Sequence, residues 1–276
     1  MLISQLLEMY RVRHPLADSS LYQMRRTVAL LDGYLRRPAT VEDLTPDTIS
    51  RWIMALEGTH SQTSVHGHRA KLLILWRFAA RHRFAQEPDT REIRRAPRPE
   101  PDPVAWTKEQ VERIVAVCRS LDVRVCGRLV GPWLVVLVLV AWSTGLRKSD
   151  LWRLARSDVG PAGIVTRQAK TRRLVVHAIP DDLRRRLLDL PGEYPLRWWG
   201  SPRHFYTVWA GVVGKAGVGA GCLQRIRRSG ATAVAAMDGT DAAREFLGHK
   251  TCDMWRHYVD RRIAWPRRFV PPELTA

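Results

Sequence analysis

The sequence predicts a mainly helical, α+β chain: an N-terminal helical bundle, then a mostly helical second domain carrying one small antiparallel hairpin. Three observations lead there. Apolar residues recur at helical spacing over most of the chain. The stretch Arg94 to Val104, RRAPRPEPDPV, interrupts that pattern with four prolines and reads as a semi-rigid linker. A β-rich period is confined to residues 163–179. The expected layout is a first domain at 1–96, a linker at 97–105 and a second domain at 106–276.

In the first domain, Leu2–Tyr10 forms one helix, and Tyr22, Met24, Val28, Leu30, Leu31 and Leu35 mark a second. Thr45 and Pro46 suit the N-cap and first position of a third, which carries Ile49, Trp52, Ile53 and Leu56. A fourth runs from about Thr63 to Arg83 with Leu72, Leu73, Leu75, Trp76 and Ala79 on its apolar side. Its other side bears His66, His68, Arg69, Lys71, Arg77, Arg81 and Arg83, either a solvated face or one turned towards DNA.

The second domain opens at Thr107, which has capping-box spacing to Gln110, ahead of a helix through Val111 and Val115. The run Trp133–Trp142 is too short to span a bilayer and reads as a buried helix. Gly163–Gln168 and Arg173–Ile179 pair as a hairpin with Lys170 at its tip. Helices come next at Asp181–Leu190 and at Pro202–Lys215, the latter capped by Ser201. Gly217–Gly221 is a flexible loop.

Composition narrows the function. Formal charge is +18 over 276 residues, with 16 Lys and Arg against 11 Asp and Glu in residues 1–100 and 29 against 16 beyond. Such a balance favours a polyanionic partner, nucleic acid before anionic membrane. Most of the cations are arginine, whose planar fork grips phosphate bidentately; the codon usage of a GC-rich genome is the other source of that excess. Cys118, Cys126, Cys222 and Cys252 lack metal-ligand spacing and read as reduced core thiols, and no signal peptide precedes the first helix. A soluble, cytoplasmic protein without metal or cofactor is expected.

The chemistry gathers in Leu223–Tyr258, which holds an arginine cluster, a Gly-His step and a tyrosine nine residues after that histidine. Cutting a DNA strand without a metal needs fixed donors for the non-bridging oxygens, a proton for the leaving oxygen and a nucleophile. A free tyrosine has a pKa of about 10, so ionising it at pH 7 costs about 4 kcal/mol, a cost that neighbouring cations reduce.

The chain resembles the tyrosine recombinases, the phage integrase family. AWSTGLRKSDL from Ala141 to Leu151 resembles the family's first box, RRSGAT from Arg227 to Thr232 its second, and Leu247-Gly-His249 its Leu-Gly-His step, with Tyr258 at the nucleophile's usual offset. The resemblance covers nearly the whole chain and implies a core-binding (SAM-like) bundle ahead of the catalytic domain, in a compact Xer-like layout. It implies that Tyr258 attacks a DNA phosphate to give a 3′-phosphotyrosyl link. Lys170 would protonate the 5′ oxygen, while Arg147, Arg227 and His249 stabilise the transition state. It further implies double-stranded DNA as substrate, a homo-tetramer on paired sites, and room for an accessory directionality protein. Asp150, one helical turn after Arg147, is read as its support. One departure stands out: the family's histidine three residues before the second arginine is here Gln224, which donates hydrogen bonds but takes no proton at neutral pH. Two alternatives therefore stay open, a DNA-binding member without cleavage and a type IB-like relaxing topoisomerase. The tail after Tyr258 is basic and proline-rich, and Ile263, Trp265, Phe269 and Val270 suit docking on a neighbouring subunit or covering their own. Trp198 and Trp199 are further candidates for an interface, and His177 and His257 read as structural.

Overall fold

The computed structural model describes residues 1–96, 100, 102–249 and 252–265, without the side chains of Cys252, Asp253 and Trp255. The chain divides into two compact units, Met1–Glu100 and Pro101–Ala276. Within the expected linker, Pro97, Arg98, Pro99 and Pro101 lie outside the described residues, as do Phe269 and Val270 of the expected docking tail.

The first unit is a bundle of α1 (Ile3–Arg13), α2 (Asp18–Leu35), α3 (Pro46–Glu57) and α4 (Gln62–Arg81). Local chemistry sets the start of α3: Thr45 Oγ1 accepts from the Thr48 N–H at 3.2 Å, and Pro46 holds the first position. The apolar stripe of α4 packs against the other three helices, with Leu72, Leu75 and Ala79 fully buried. Its opposite face departs from the sequence expectation. His68 is buried, with Nδ1 2.9 Å from Thr27 Oγ1, and burial pushes its pKa down to about 4. His66 and Arg69 are covered by the chain returning over them, Nδ1 of His66 2.7 Å from Ala96 O and Arg69 Nε donating to Arg94 O at 3.0 Å. Only Arg77, Arg81 and Arg83 of that set stay exposed.

The second unit begins at Thr107, whose capping box with Gln110 opens α5 (Lys108–Arg119). Two short strands, β1 (Arg124–Val125) and β2 (Arg128–Leu129), lead into α6 (Val130–Thr144). Nearly every side chain of α6 is buried, which is why its sequence shows no helical period. It packs against α5 and later helices. Fully burying a Val or Leu contributes about 1.5–3 kcal/mol, so α6 contributes strongly to the cohesion of this unit.

After the single turn α7 (Lys148–Leu151) comes an antiparallel sheet of β3 (Val159–Gly160), β4 (Gly163–Arg167) and β5 (Leu174–His177). Ile164 pairs with His177 and Arg167 with Leu174, so Lys170 lies in the turn at the tip. The remaining α-helices are α8 (Asp181–Asp189), α9 (Pro202–Lys215), α10 (Leu223–Phe246) and α11 (Arg261–Ala264), with a 3-10 turn over Cys252–His257 between the last two.

Two further expectations are corrected. Trp198 belongs to the unit's own core and the partly buried Trp199 packs against it, their ring centroids 5.3 and 5.0 Å from that of Trp133, because the chain before α9 folds back onto α6. Among the cysteines whose side chains are described, Cys118 is the core thiol, its pKa raised to about 12 by burial, whereas Cys126 and Cys222 are exposed. No helix among the described residues is long and apolar enough to cross a membrane.

Candidate active site

Two helix ends and one kink build the site. At the end of α10, Gly248 adopts a left-handed conformation (φ 65°), so its N–H reaches Glu245 O at 2.8 Å and the His249 N–H reaches Arg244 O at 3.0 Å. This is a Schellman ending, which needs a residue without a Cβ penalty. It leaves the Leu247 carbonyl free to accept side-chain donors, and Arg227 Nη2 donates to it at 3.1 Å. Arg227 and Leu247 are twenty residues apart on α10, which on a straight helix would separate them by about 30 Å. Gly239 removes that distance: its φ of 85° and ψ of −177° break the helical path, in a region open essentially to glycine alone, and return the second half beside the first.

The second helix end is that of α6. Gly145 terminates it in a left-handed turn, and its carbonyl accepts from Arg227 Nη1. The next turn places Arg147 just before α7. The carbonyls of the Thr-Gly and Leu-Gly steps thus hold Arg227 between them. Arg225 turns the other way, donating to Ala220 O and Ala105 O with its guanidinium 4.6 Å from the Trp106 ring centroid.

Around Arg227 the other groups converge. Its Nη2 is 3.2 Å from His249 Nε2, and its guanidinium carbon lies 4.9 Å from the Tyr258 ring centroid. The His249 and Tyr258 rings are 4.8 Å apart. The two residues after Tyr258 anchor it: Val259 is buried, and the Asp260 N–H donates to Thr232 Oγ1 on α10 at 2.9 Å. Arg173 Nη1 donates to His249 O at 2.7 Å.

Arg147 is held from two sides. Its Nη1 donates to Gln168 Oε1 at 2.9 Å and lies 4.0 Å from Asp150 Oδ2. Asp150 is 4 % exposed, and its Oδ1 accepts from the Ala169 N–H at 2.9 Å. Gln168 is fully buried; its Oε1 also accepts from Thr171 Oγ1 at 2.8 Å, and its Nε2 donates to Leu247 O at 3.0 Å.

The electrostatics are those of an anion site. Arg227 is 1 % exposed, and no carboxylate among the described residues forms an ion pair with it. Burial, then the charge of Arg147, lowers its pKa to about 10, partly offset by Tyr258 and Asp150. The pKa of His249 falls to about 4, from burial first and then from Arg227, Arg147, Arg173 and His257. It is therefore neutral at pH 7. Because Nε2 faces an arginine N–H, the ring proton sits on Nδ1, a buried donor with no partner among the described residues, like Arg227 Nε. Buried cations and donors left unmatched in this way favour an anion in their midst.

Arg147, Arg227, His249 and Tyr258 are thus brought together, with Asp150 behind Arg147. Lys170 is exposed at the hairpin tip and makes no hydrogen bond or ion pair among the described residues. Gln224 lies one turn before Arg227 on α10, half-buried and likewise without a hydrogen bond. Sequence reading passed over Gln168 and Arg173. The signal for Gln168 is its register: Ile164, Thr166 and Gln168 alternate inwards on β4 and its extension, so a polar residue ends a buried-facing row. Among the described residues no group of His, Cys, Asp and Glu is arranged to hold a metal ion.

No protein-family model and no curated protein matches the chain. Solved structures do. A lambda integrase dimer, residues 75–356, bound to a COC′ core site is 19 % identical with a TM-score of 0.74, covering 99 % of this chain and 100 % of that one. A lambda integrase tetramer bound to a Holliday junction is 18 % identical with a TM-score of 0.72, covering 92 % of this chain and 77 % of that one. The Tn1549 transposon integrase, residues 82–397, with circular intermediate DNA is 13 % identical with a TM-score of 0.67, covering 94 % and 95 %. The chain has the fold of the tyrosine recombinases.

Proposed function

We propose that this chain, built on the tyrosine-recombinase fold, cuts and rejoins double-stranded DNA through a covalent link to Tyr258. Its Oη attacks the phosphorus, the P–O5′ bond breaks, and a 3′-phosphotyrosyl ester and a free 5′ hydroxyl result. Arg147 and Arg227 supply forked N–H donors to the non-bridging oxygens, and neutral His249 adds its Nδ1–H. Lys170 protonates O5′ as it leaves. Gln224 donates a hydrogen bond to phosphate, and solvent takes the tyrosine proton. The ester conserves the energy of the phosphodiester, so rejoining needs no ATP. A homo-tetramer on paired sites would exchange strands between two duplexes.

The observation that carries this reading is the buried Arg227, without a carboxylate partner among the described residues, against the ring of Tyr258. The whole-chain charge of +18 and a basic, aromatic cavity of about 570 Å3 beside Arg147 support a DNA partner; Lys148, Trp152, Arg153, Tyr194 and Arg197 line it without an acidic group. The test is covalent trapping. The protein is incubated in EDTA with nicked duplexes of randomised sequence, from which cleavage releases a short strand. A denaturation-resistant adduct absent from Tyr258→Phe is expected. Sequence-selective binding without an adduct would leave a DNA-binding protein that does not cut.

A further inference from the structure

We infer that Gln168 is a positioning residue that registers the Lys170 hairpin tip to Arg147, so that the leaving-group acid and the phosphate clamp act as one unit. The inference rests on the proposed cleavage by Tyr258 and adds a residue to it.

Lys170 itself makes no hydrogen bond or ion pair among the described residues, yet both of its neighbours are tied down. On one side the Ala169 N–H donates to Asp150 Oδ1 at 2.9 Å; on the other, Thr171 Oγ1 donates to Gln168 Oε1 at 2.8 Å. The same two side chains, Asp150 and Gln168, are those that approach Arg147. The loop backbone closes on Gln168 as well, its N–H donating to Arg173 O at 2.9 Å and its carbonyl accepting from the Arg172 N–H at 2.8 Å. The amide of Gln168 engages both its ends: two donors meet Oε1, and Nε2 reaches Leu247 O, the carbonyl that also holds Arg227. An exposed lysine on a two-stranded tip would otherwise sample many positions. Proton transfer to O5′ requires its Nζ within hydrogen-bond reach of that atom at the moment the P–O bond breaks. Gln168 fixes the base of the lysine relative to the guanidinium that fixes the phosphate.

The chemistry of Gln168 suits this task better than that of glutamate. An amide accepts from Arg147 and Thr171 and also donates to Leu247 O, whereas a carboxylate has nothing to donate to that carbonyl and would neutralise Arg147.

The experiment compares ordinary duplexes with duplexes whose scissile O5′ is replaced by sulfur. A thiolate leaves without a proton, so a defect in acid catalysis disappears on the sulfur substrate while a defect in phosphate binding remains. Adduct formation is timed for the unaltered protein and for Lys170→Ala, Gln168→Ala, Thr171→Val and Arg147→Ala. On oxygen, Gln168→Ala is expected to slow adduct formation about 100-fold, the low end of what general acid catalysis contributes. On sulfur it recovers most of that loss, as Lys170→Ala does, while Arg147→Ala recovers little. Thr171→Val, which removes one hydroxyl from a partly exposed turn and leaves the core intact, shows a smaller loss with the same recovery and serves if Gln168→Ala does not fold. A normal rate on oxygen for both variants, or a loss that sulfur does not repair, overturns the inference while leaving the proposed function standing. No adduct from the unaltered protein on either substrate would overturn both.

Discussion

Gln168 and Arg227 donate to one acceptor: the Leu247 carbonyl oxygen takes Gln168 Nε2–H at 3.0 Å and Arg227 Nη2–H at 3.1 Å. Through that atom the hairpin, the end of α10 and the buried arginine become one network, and Arg147 joins it through Gln168. The network depends on α10 folding back on itself and on the cationic groups staying buried together.

Gly239 has no heavy atom within 4 Å of where a Cβ would stand, so Gly239→Ala meets no steric neighbour. Its backbone conformation is nonetheless one that alanine resists, at a cost of about 1–3 kcal/mol. Urea unfolding of Gly239→Ala should show that loss. Adduct formation should fall further than stability, because Leu247 and His249 move away from Arg227. Unchanged stability would mean that the kink is not enforced by the rest of the fold.

Arg227→Lys keeps the charge but loses the fork. A single ammonium cannot serve Gly145 O, Leu247 O and a phosphate oxygen in the arrangement of a guanidinium, and a buried carbonyl left unpaired costs about 1–3 kcal/mol. Melting and DNA-adduct assays on this variant should show a destabilised protein whose cleavage is reduced about 100-fold or more.

Three buried histidines, His68, His177 and His249, each have a pKa lowered to about 4, with burial the first cause in every case. Each is neutral when folded and takes a proton below about pH 6.5 when unfolded. The unfolded state therefore binds more protons between about pH 6.5 and 4, so stability is fully present above that window and declines as pH falls through it. Urea midpoints measured from pH 7.5 to 5 should fall, and His177→Gln should flatten the decline in the second unit. A flat profile for the unaltered protein would show that these rings are accessible to solvent.

Gln224→His would place a proton acceptor one turn before Arg227. Adduct formation should speed up several-fold at neutral pH and acquire a titration between about pH 6 and 7, the ordinary histidine range. A rate that stays the same, with no new titration, would mean that loss of the tyrosine proton does not limit the reaction.

The sequence made legible whatever a short stretch of chain decides for itself. Thr45-Pro46, Thr107 with Gln110 and Ser201-Pro202 announce helix starts because a side chain caps N–H groups three residues away, and all three caps are present. The hairpin and its tip were readable for the same reason. Strands β1, β2 and β3 were not, since two residues carry no period and their pairing is set by the packed surroundings. His68 resembled its charged neighbours on α4, and only the approach of Thr27, 41 residues earlier, makes it a buried group. The kink at Gly239 looks in sequence like one more glycine in a helix. The part played by Gln168 depends on Leu247, 79 residues on, a distance over which local pattern says nothing.

Tyr258 as the residue that attacks phosphorus is the central claim, and the adduct itself can report it. The trapped protein–DNA complex would be digested with protease and nuclease and the modified peptide sequenced by mass spectrometry. The expected product is a single nucleotide 3′-phosphate esterified to Tyr258, with a 5′ hydroxyl on the released strand. A nucleotide on any other residue, or a 5′-phosphate link, would contradict the claim.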